Sequence, residues 1–186
     1  MKSTPAAHRS HPWRVHTLAA DFEVIDVWRF ELPTSDGGLD RVLRAFWSQM
    51  DAAEKGVLSR IRLAVGKVTG WDDAPNTLPI PGCTETSLVA RLPAAERATE
   101  PSPFPAAAVT PVYRFADEAL YEVSNDTVHA LLHIGMVEGG AELAVYVKSR
   151  GAFTRVYMAA IWPARHWILY PRLVKSVERR HAAAIA

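Results

Sequence analysis

Asp26 is the residue in this chain that most needs a chemical explanation. Phe22 to Leu32 alternates with a period of two. That pattern predicts a strand with Phe22, Val24, Asp26, Trp28, Phe30 and Leu32 on one face and Glu23, Ile25, Val27, Arg29 and Glu31 on the other. A carboxylate on an apolar face must be paired or lose its charge. Paired, it belongs to a structural ion pair or hydrogen bond with Arg165, His166 or a tyrosine. Open to a cavity, it is a general base or a polar anchor at the cavity floor.

Four other groups of residues could carry chemistry. Tyr157, Arg165 and His166 sit around Pro163, where a helix loses a backbone hydrogen bond. They could present polar groups to a ligand otherwise held by apolar contacts, or cap the carbonyls that Pro163 frees. His129 and His133 share a strand face but stand about 13 Å apart, too far for one metal ion. They either point outward or line a cavity. Glu118 and Glu122 flank Tyr121, and Asp72-Asp73 follow Trp71; both pairs read as solvated turns and strand edges rather than acid–base pairs. Arg172, Lys175, Arg179 and Arg180 end the last helix, where the macrodipole favours cations, though basic patches also bind phosphates. Gly66-Lys67 lacks the rest of a phosphate-binding loop, and no G-x-S-x-G, C-x-x-C or G-x-G-x-x-G occurs.

The elements that position these residues follow an α+β order. After the first strand, Leu39, Val42, Leu43, Phe46, Trp47 and Met50 take the spacing of an amphipathic helix. A second helix is expected over Glu54–Val68, closed by Gly70-Trp71-Asp72. Strands are expected over Thr84–Leu92, Val112–Phe115, Leu120–Ser124, Thr127–Val137 and Ala141–Arg150. Turns fall at Asn125-Asp126 and Glu138-Gly139-Gly140. The prolines of 93–111 exclude regular structure there. In the last strand Leu143, Val145 and Val147 are expected inward, with Glu142, Tyr146 and Lys148 outward. From Phe153 the period becomes 3.6, which predicts a long helix over 153–180, bent or broken at Pro163 and Pro171.

Composition bounds the rest. The 186 residues fit one domain over 15–182 after a flexible stretch 1–14. A net charge of +1 provides no global field for nucleic acid. Cys83 is the only cysteine, so no internal disulfide forms. No signal-like segment and no 18-residue apolar run is present, so a cytoplasmic location without membrane insertion is expected.

Several stretches resemble a known family in matching order. They are Asp21-Phe22-Glu23-Val24-Ile25-Asp26-Val27-Trp28, Gly70-Trp71-Asp72, Ser87-Leu88 with Arg91-Leu92-Pro93, Asn125-Asp126-Thr127-Val128-His129, Val145-Tyr146-Val147-Lys148, Tyr157-Met158-Ala159-Ala160-Ile161 and Pro163-Ala164-Arg165-His166 through Tyr170-Pro171. The chain resembles the bacterial domain of unknown function 2867 over nearly all of its length after residue 15. Ala164 departs from the pattern, which has Phe before the arginine. The resemblance implies a helix-grip fold like that of the START and birch-allergen proteins (SRPBCC). In that fold a sheet of about seven antiparallel strands curves around a long C-terminal helix, with two short helices after strand one. It implies an apolar cavity and no particular activity.

The expected function is therefore binding of a small apolar or aromatic molecule between sheet and helix. Asp26, His133, Tyr157, Arg165 and His166 would orient the ligand, and Trp28, Val145 and Ile161 complete the binding set. No metal and no cofactor is expected. An enzyme (cyclase, dehydratase or hydrolase) using Asp26 or a histidine as base is the second reading. A homodimer formed through outer apolar residues of the sheet is the third.

Overall fold

A computed structural model describes residues 2–32, 38–54, 87–103, 109–124, 128–149, 158–159 and 162–183. The expected helix 54–68, the Gly70-Trp71-Asp72 closure, Asp72-Asp73, Cys83 and the Asn125-Asp126 turn lie outside the described residues, as do Tyr157 and Ile161.

The chain is α+β. Helices α1 (Pro5–Arg9) and α2 (Arg14–Leu18) precede strand β1 (Glu23–Glu31) and helix α3 (Gly38–Glu54). Strands β2 (Thr110–Arg114), β3 (Glu118–Ser124), β4 (Val128–Val137) and β5 (Gly140–Ser149) follow. The chain then runs without interruption through α4 (Trp162–Ala164), a π-helical turn (Arg165–Leu169) and α5 (Tyr170–Ala183). Among the described residues, five strands form one antiparallel sheet in the order β1-β5-β4-β3-β2. Strand was expected over Thr84–Leu92, but Leu88–Arg91 is a 3₁₀ turn, started by Ser87, whose hydroxyl accepts from the Val89 amide. A serine at the N-cap diverts the chain into a turn despite the apolar run that follows it.

Two layers of apolar side chains bury both faces of the sheet. On one face Trp28, Phe30, Ile134, Leu143 and Val145 pack against Leu39, Val42, Phe46 and Trp47 of α3 and Leu173, Val174 and Val177 of α5. Each of these buried aliphatic groups contributes roughly 2 kcal/mol of transfer free energy. On the other face Val24, Val27, Leu120, Leu131 and Tyr146 pack beneath Trp13, Val15, Leu18, Leu88 and Leu92. That second cover changes two expectations. The first residues form α1 and lie against the free edge of β1, where the Ser3 amide donates to the Val27 carbonyl at 3.1 Å. Glu142 and Tyr146, expected outward, are buried.

β1 also departs from simple alternation. Val24 pairs with Tyr146 and Asp26 pairs with Val145, so Ile25 is an extra residue in a β-bulge. The bulge puts Val24 on the α2 side and Asp26, Trp28 and Phe30 on the α5 side, so the single apolar face expected from Phe22 to Leu32 divides at Ile25. Bulges commonly re-aim a side chain in this way. The β4–β5 turn forms as expected, with Gly139 at φ 70°.

Candidate functional site

Asp26 points from the bulge toward the start of the C-terminal helix. It is 1% exposed. Its Oδ1 lies 2.8 Å from His166 Nε2, and its Oδ2 lies 3.4 Å from an Arg165 guanidinium nitrogen. Neither contact has the alignment of a hydrogen bond, so both buried oxygens keep acceptor capacity. His166 Nδ1 bonds the Trp162 carbonyl at 3.1 Å. With Nδ1 donating there, Nε2 is the nitrogen that faces Asp26.

The π turn is what brings both basic side chains to the carboxylate. Pro171 has no N–H for the Trp167 carbonyl, so the turn before it is free to widen. π turns inside helices recur at functional sites. The expected break near Pro163 and Pro171 takes this form; His166 bonds the Trp162 carbonyl and meets Asp26, one of the pairings weighed for that carboxylate.

Aromatic rings wall the cluster. Trp28 stacks on Tyr170 with centroids 5.2 Å apart, and Trp162 stacks on His166 at 4.4 Å. Burial, and next the charge of Asp26, push the Tyr170 hydroxyl above its ordinary range. Trp162 and Tyr170 were not among the expected site residues, yet they stand four residues before and after His166. A helix places that spacing on one side, so the signal was present. Val145 lies directly across from Asp26 on the same face. Trp162 and Trp167 reach solvent at 44% and 72% exposure.

His133 does not belong to this cluster. It pairs across the sheet with Ala144, one step out of phase with Val145, and so lies on the opposite face. There it is fully buried, with Nε2 2.9 Å from Glu118. Glu118 and Glu122, expected to be solvated, are buried partners of histidines: His129 Nε2 stands 2.6 Å from Glu122. Tyr113 donates to Glu118 at 2.6 Å, and the Arg14 amide donates to its other oxygen at 2.8 Å. Burial pulls His133 down to about 4, with Glu118 partly opposing, so a neutral imidazole donates to a carboxylate. Burial pushes Glu118 up, but its bonds from His133, Tyr113 and Arg14 outweigh this and hold it below the usual range.

A third pair joins the N-terminus to this face. His8 Nδ1 lies 3.2 Å from Glu142 and its Nε2 lies 2.9 Å from the Tyr146 hydroxyl. His16 Nε2 donates to the His8 carbonyl, so its Nδ1 accepts from Tyr146 at 3.1 Å. The Tyr146 oxygen then accepts from His8 Nε2, and the other nitrogen of His8 faces the Glu142 carboxylate. Burial, then the charge of His8, pull His16 down. These residues fasten α1 and α2 onto the sheet.

A small α+β domain with one carboxylate buried among an arginine, a histidine and aromatic rings is thus the class on view. The chain belongs to the family described as "Protein of unknown function (DUF2867)", whose model matches residues 18–172. No curated protein and no solved structure matches the chain. No helix among the described residues is long and apolar enough to cross a membrane.

Proposed function

We propose that the chain is a small-molecule-binding domain of helix-grip type. Its ligand is apolar or aromatic and carries a hydrogen-bond donor that meets Asp26. The observation carrying this reading is the Asp26 carboxylate, which is buried beside Arg165, His166 and the Tyr170 hydroxyl with acceptor capacity left on its two oxygens. A ligand donor fills that capacity, and Trp28, Tyr170 and Trp162 supply flat apolar surface beside it. The ligand enters past Arg165 and the exposed Trp162. Tyr157 and Ile161 complete the set as proposed lining residues.

The enzyme reading has one observation in its favour, the Asp26–His166 contact at 2.8 Å. Arg165 on the second oxygen weighs against it, because a guanidinium beside a carboxylate favours the charged form and weakens it as a base. Dimerisation through the outer sheet face would require displacing α1 and α2, which cover it.

Native mass spectrometry of protein purified from its own host tests the binding reading. The expected spectrum shows a retained small molecule that is lost in a folded Asp26→Asn variant. An empty wild-type protein that also fails to bind an aromatic probe, 8-anilinonaphthalene-1-sulfonate, overturns it.

A further inference from the structure

A second site lies away from Asp26, where the first half of α3 meets the end of α5. Arg41, Arg44, Ala45 and Ser48 line one side of a cavity of about 570 Å³, and Arg180 and Ala183 line the other. The helices run antiparallel there, since Ser176 of α5 bonds Gln49 farther along α3. The volume falls in the ordinary range for a small-molecule pocket.

The charges at this cavity are unbalanced. Among the described residues no acid lines it. Four arginines elsewhere are held by carboxylates: Arg14 by Glu96, Arg91 by Asp21, Arg114 by Asp40 and Glu100, and Arg165 by Asp26. Among the described residues Arg41, Arg44 and Arg180 have no such partner, and Arg41 Nη1 is buried with no acceptor. Two acids on these helices are held elsewhere: Asp40 by Arg114, and Glu178 by the Glu31 amide, which donates to it. The helix macrodipole accounts for Arg180 at the end of α5. It does not account for Arg41 and Arg44, which sit in the opening turns of α3, where the macrodipole opposes cations. His181, 1% exposed, also has an unpartnered Nδ1, and burial and then the charge of Arg41 pull its pKa down.

We infer that this cavity binds the phosphoryl group of a small phosphorylated molecule. Guanidinium forks match phosphate oxygens in charge and geometry. An anion seated among the three arginines relieves their mutual repulsion and gives the buried Nη1 of Arg41 an acceptor. The cavity exceeds a lone phosphate, and Ala45, Ala183 and the arginine stems offer apolar wall to the remainder of the molecule.

Titration calorimetry on the full chain at low salt, with pyrophosphate and with inorganic phosphate, tests this. Pyrophosphate is expected to bind saturably and more tightly than phosphate. Arg44→Gln and Arg180→Gln, both at exposed side chains, should each weaken it about tenfold or more. Arg172→Gln, on the same helix but outside the cavity, should leave affinity unchanged. Arg41→Gln should raise the melting temperature of the ligand-free protein, because a like charge is removed, while abolishing the stabilisation that pyrophosphate gives the wild type. Vesicles of phosphatidylcholine with and without phosphatidate separate two sources of the group. Retention on phosphatidate vesicles that pyrophosphate competes away assigns a lipid headgroup, and pyrophosphate binding without retention assigns a soluble phosphate. Absence of saturable pyrophosphate binding, or equal affinity in Arg44→Gln, Arg180→Gln and wild type, overturns the inference.

Discussion

His166 Nε2 lies 2.8 Å from Asp26 Oδ1, and this contact ties the bulge of the first strand to the π turn of the last helix. Arg165 closes on the other oxygen, so two basic side chains converge on one buried carboxylate. Removing one member strands the others. Asp26→Asn should therefore cost about 3 kcal/mol, and Arg165→Met, whose side chain is partly solvated, about 2 kcal/mol. Urea unfolding of the single variants, and of Asp26→Asn combined with His166→Gln, measures it. The double variant should lose less than the sum. Strict additivity would mean that the two groups do not sense each other.

Acid stability divides into two windows on the other face of the sheet. His133 titrates at about 4 when folded, below its ordinary 6.5. A group depressed in this way stabilises fully above the unfolded value, and the contribution is lost as pH falls from about 6.5 toward 4. The loss is on the order of 3 kcal/mol. Glu118 and Glu142 are also held below their ordinary 4.5, so their contributions persist to about that pH and disappear only below it. For Glu142, burial acts upward and the bonds from His8 and Ser3 outweigh it. His133→Gln keeps a donor for Glu118 and removes the titration. Its urea midpoint should vary less between pH 7.5 and 5 than that of the wild type, with the steep fall below pH 4.5 retained.

Gly140 opens β5 where no side chain fits. A Cβ there would stand 2.0 Å from the Phe30 carbonyl oxygen, and backbone in a paired strand cannot give way. Gly140→Ala should destabilise by about 3 kcal/mol or more and lower the melting temperature by roughly 6–12 °C. Calorimetry reads this directly. A melting temperature within a degree or two of the wild type would show that β1 and β5 pair differently near that turn.

The strands of the second half and the helix after β1 were legible because each carries a clean period. Thr127–Val137 and Ala141–Arg150 were expected, and the strands run over Val128–Val137 and Gly140–Ser149. The partnership of Asp26 with Arg165 and His166 was legible too, since a carboxylate on an apolar face and two cations beside a helix break each need an explanation. The placement of His133, Glu118 and Glu122 was not. Strand alternation says that residues share a face; it does not say what covers that face. The cover is α1, α2 and the Leu88 turn, short elements whose sequences carry too few residues for a period to show. The arginines of α3 escaped notice for a related reason: in sequence they stand far from Arg180, and only antiparallel packing joins them.

The bulge at Ile25 offers the sharpest test of how Asp26 comes to face the C-terminal helix. Val24 and Asp26 already pair with the consecutive residues Tyr146 and Val145, so deleting Ile25 leaves a regular ladder. The side chains before and after keep their faces, whereas deleting a residue from a regular strand flips every side chain beyond the cut. Removal of Ile25 should thus preserve the fold and the Asp26–His166 contact. The cost is about 1–2 kcal/mol, the burial of one partly covered side chain. Deletion of Val27, in the regular part of β1, should unfold the protein, because either the Asp26 side or the Trp28 side must then switch faces. Circular dichroism and urea unfolding of the two deletions compare them. Equal damage from both would show that the bulge is required for the strand itself and does not merely aim Asp26.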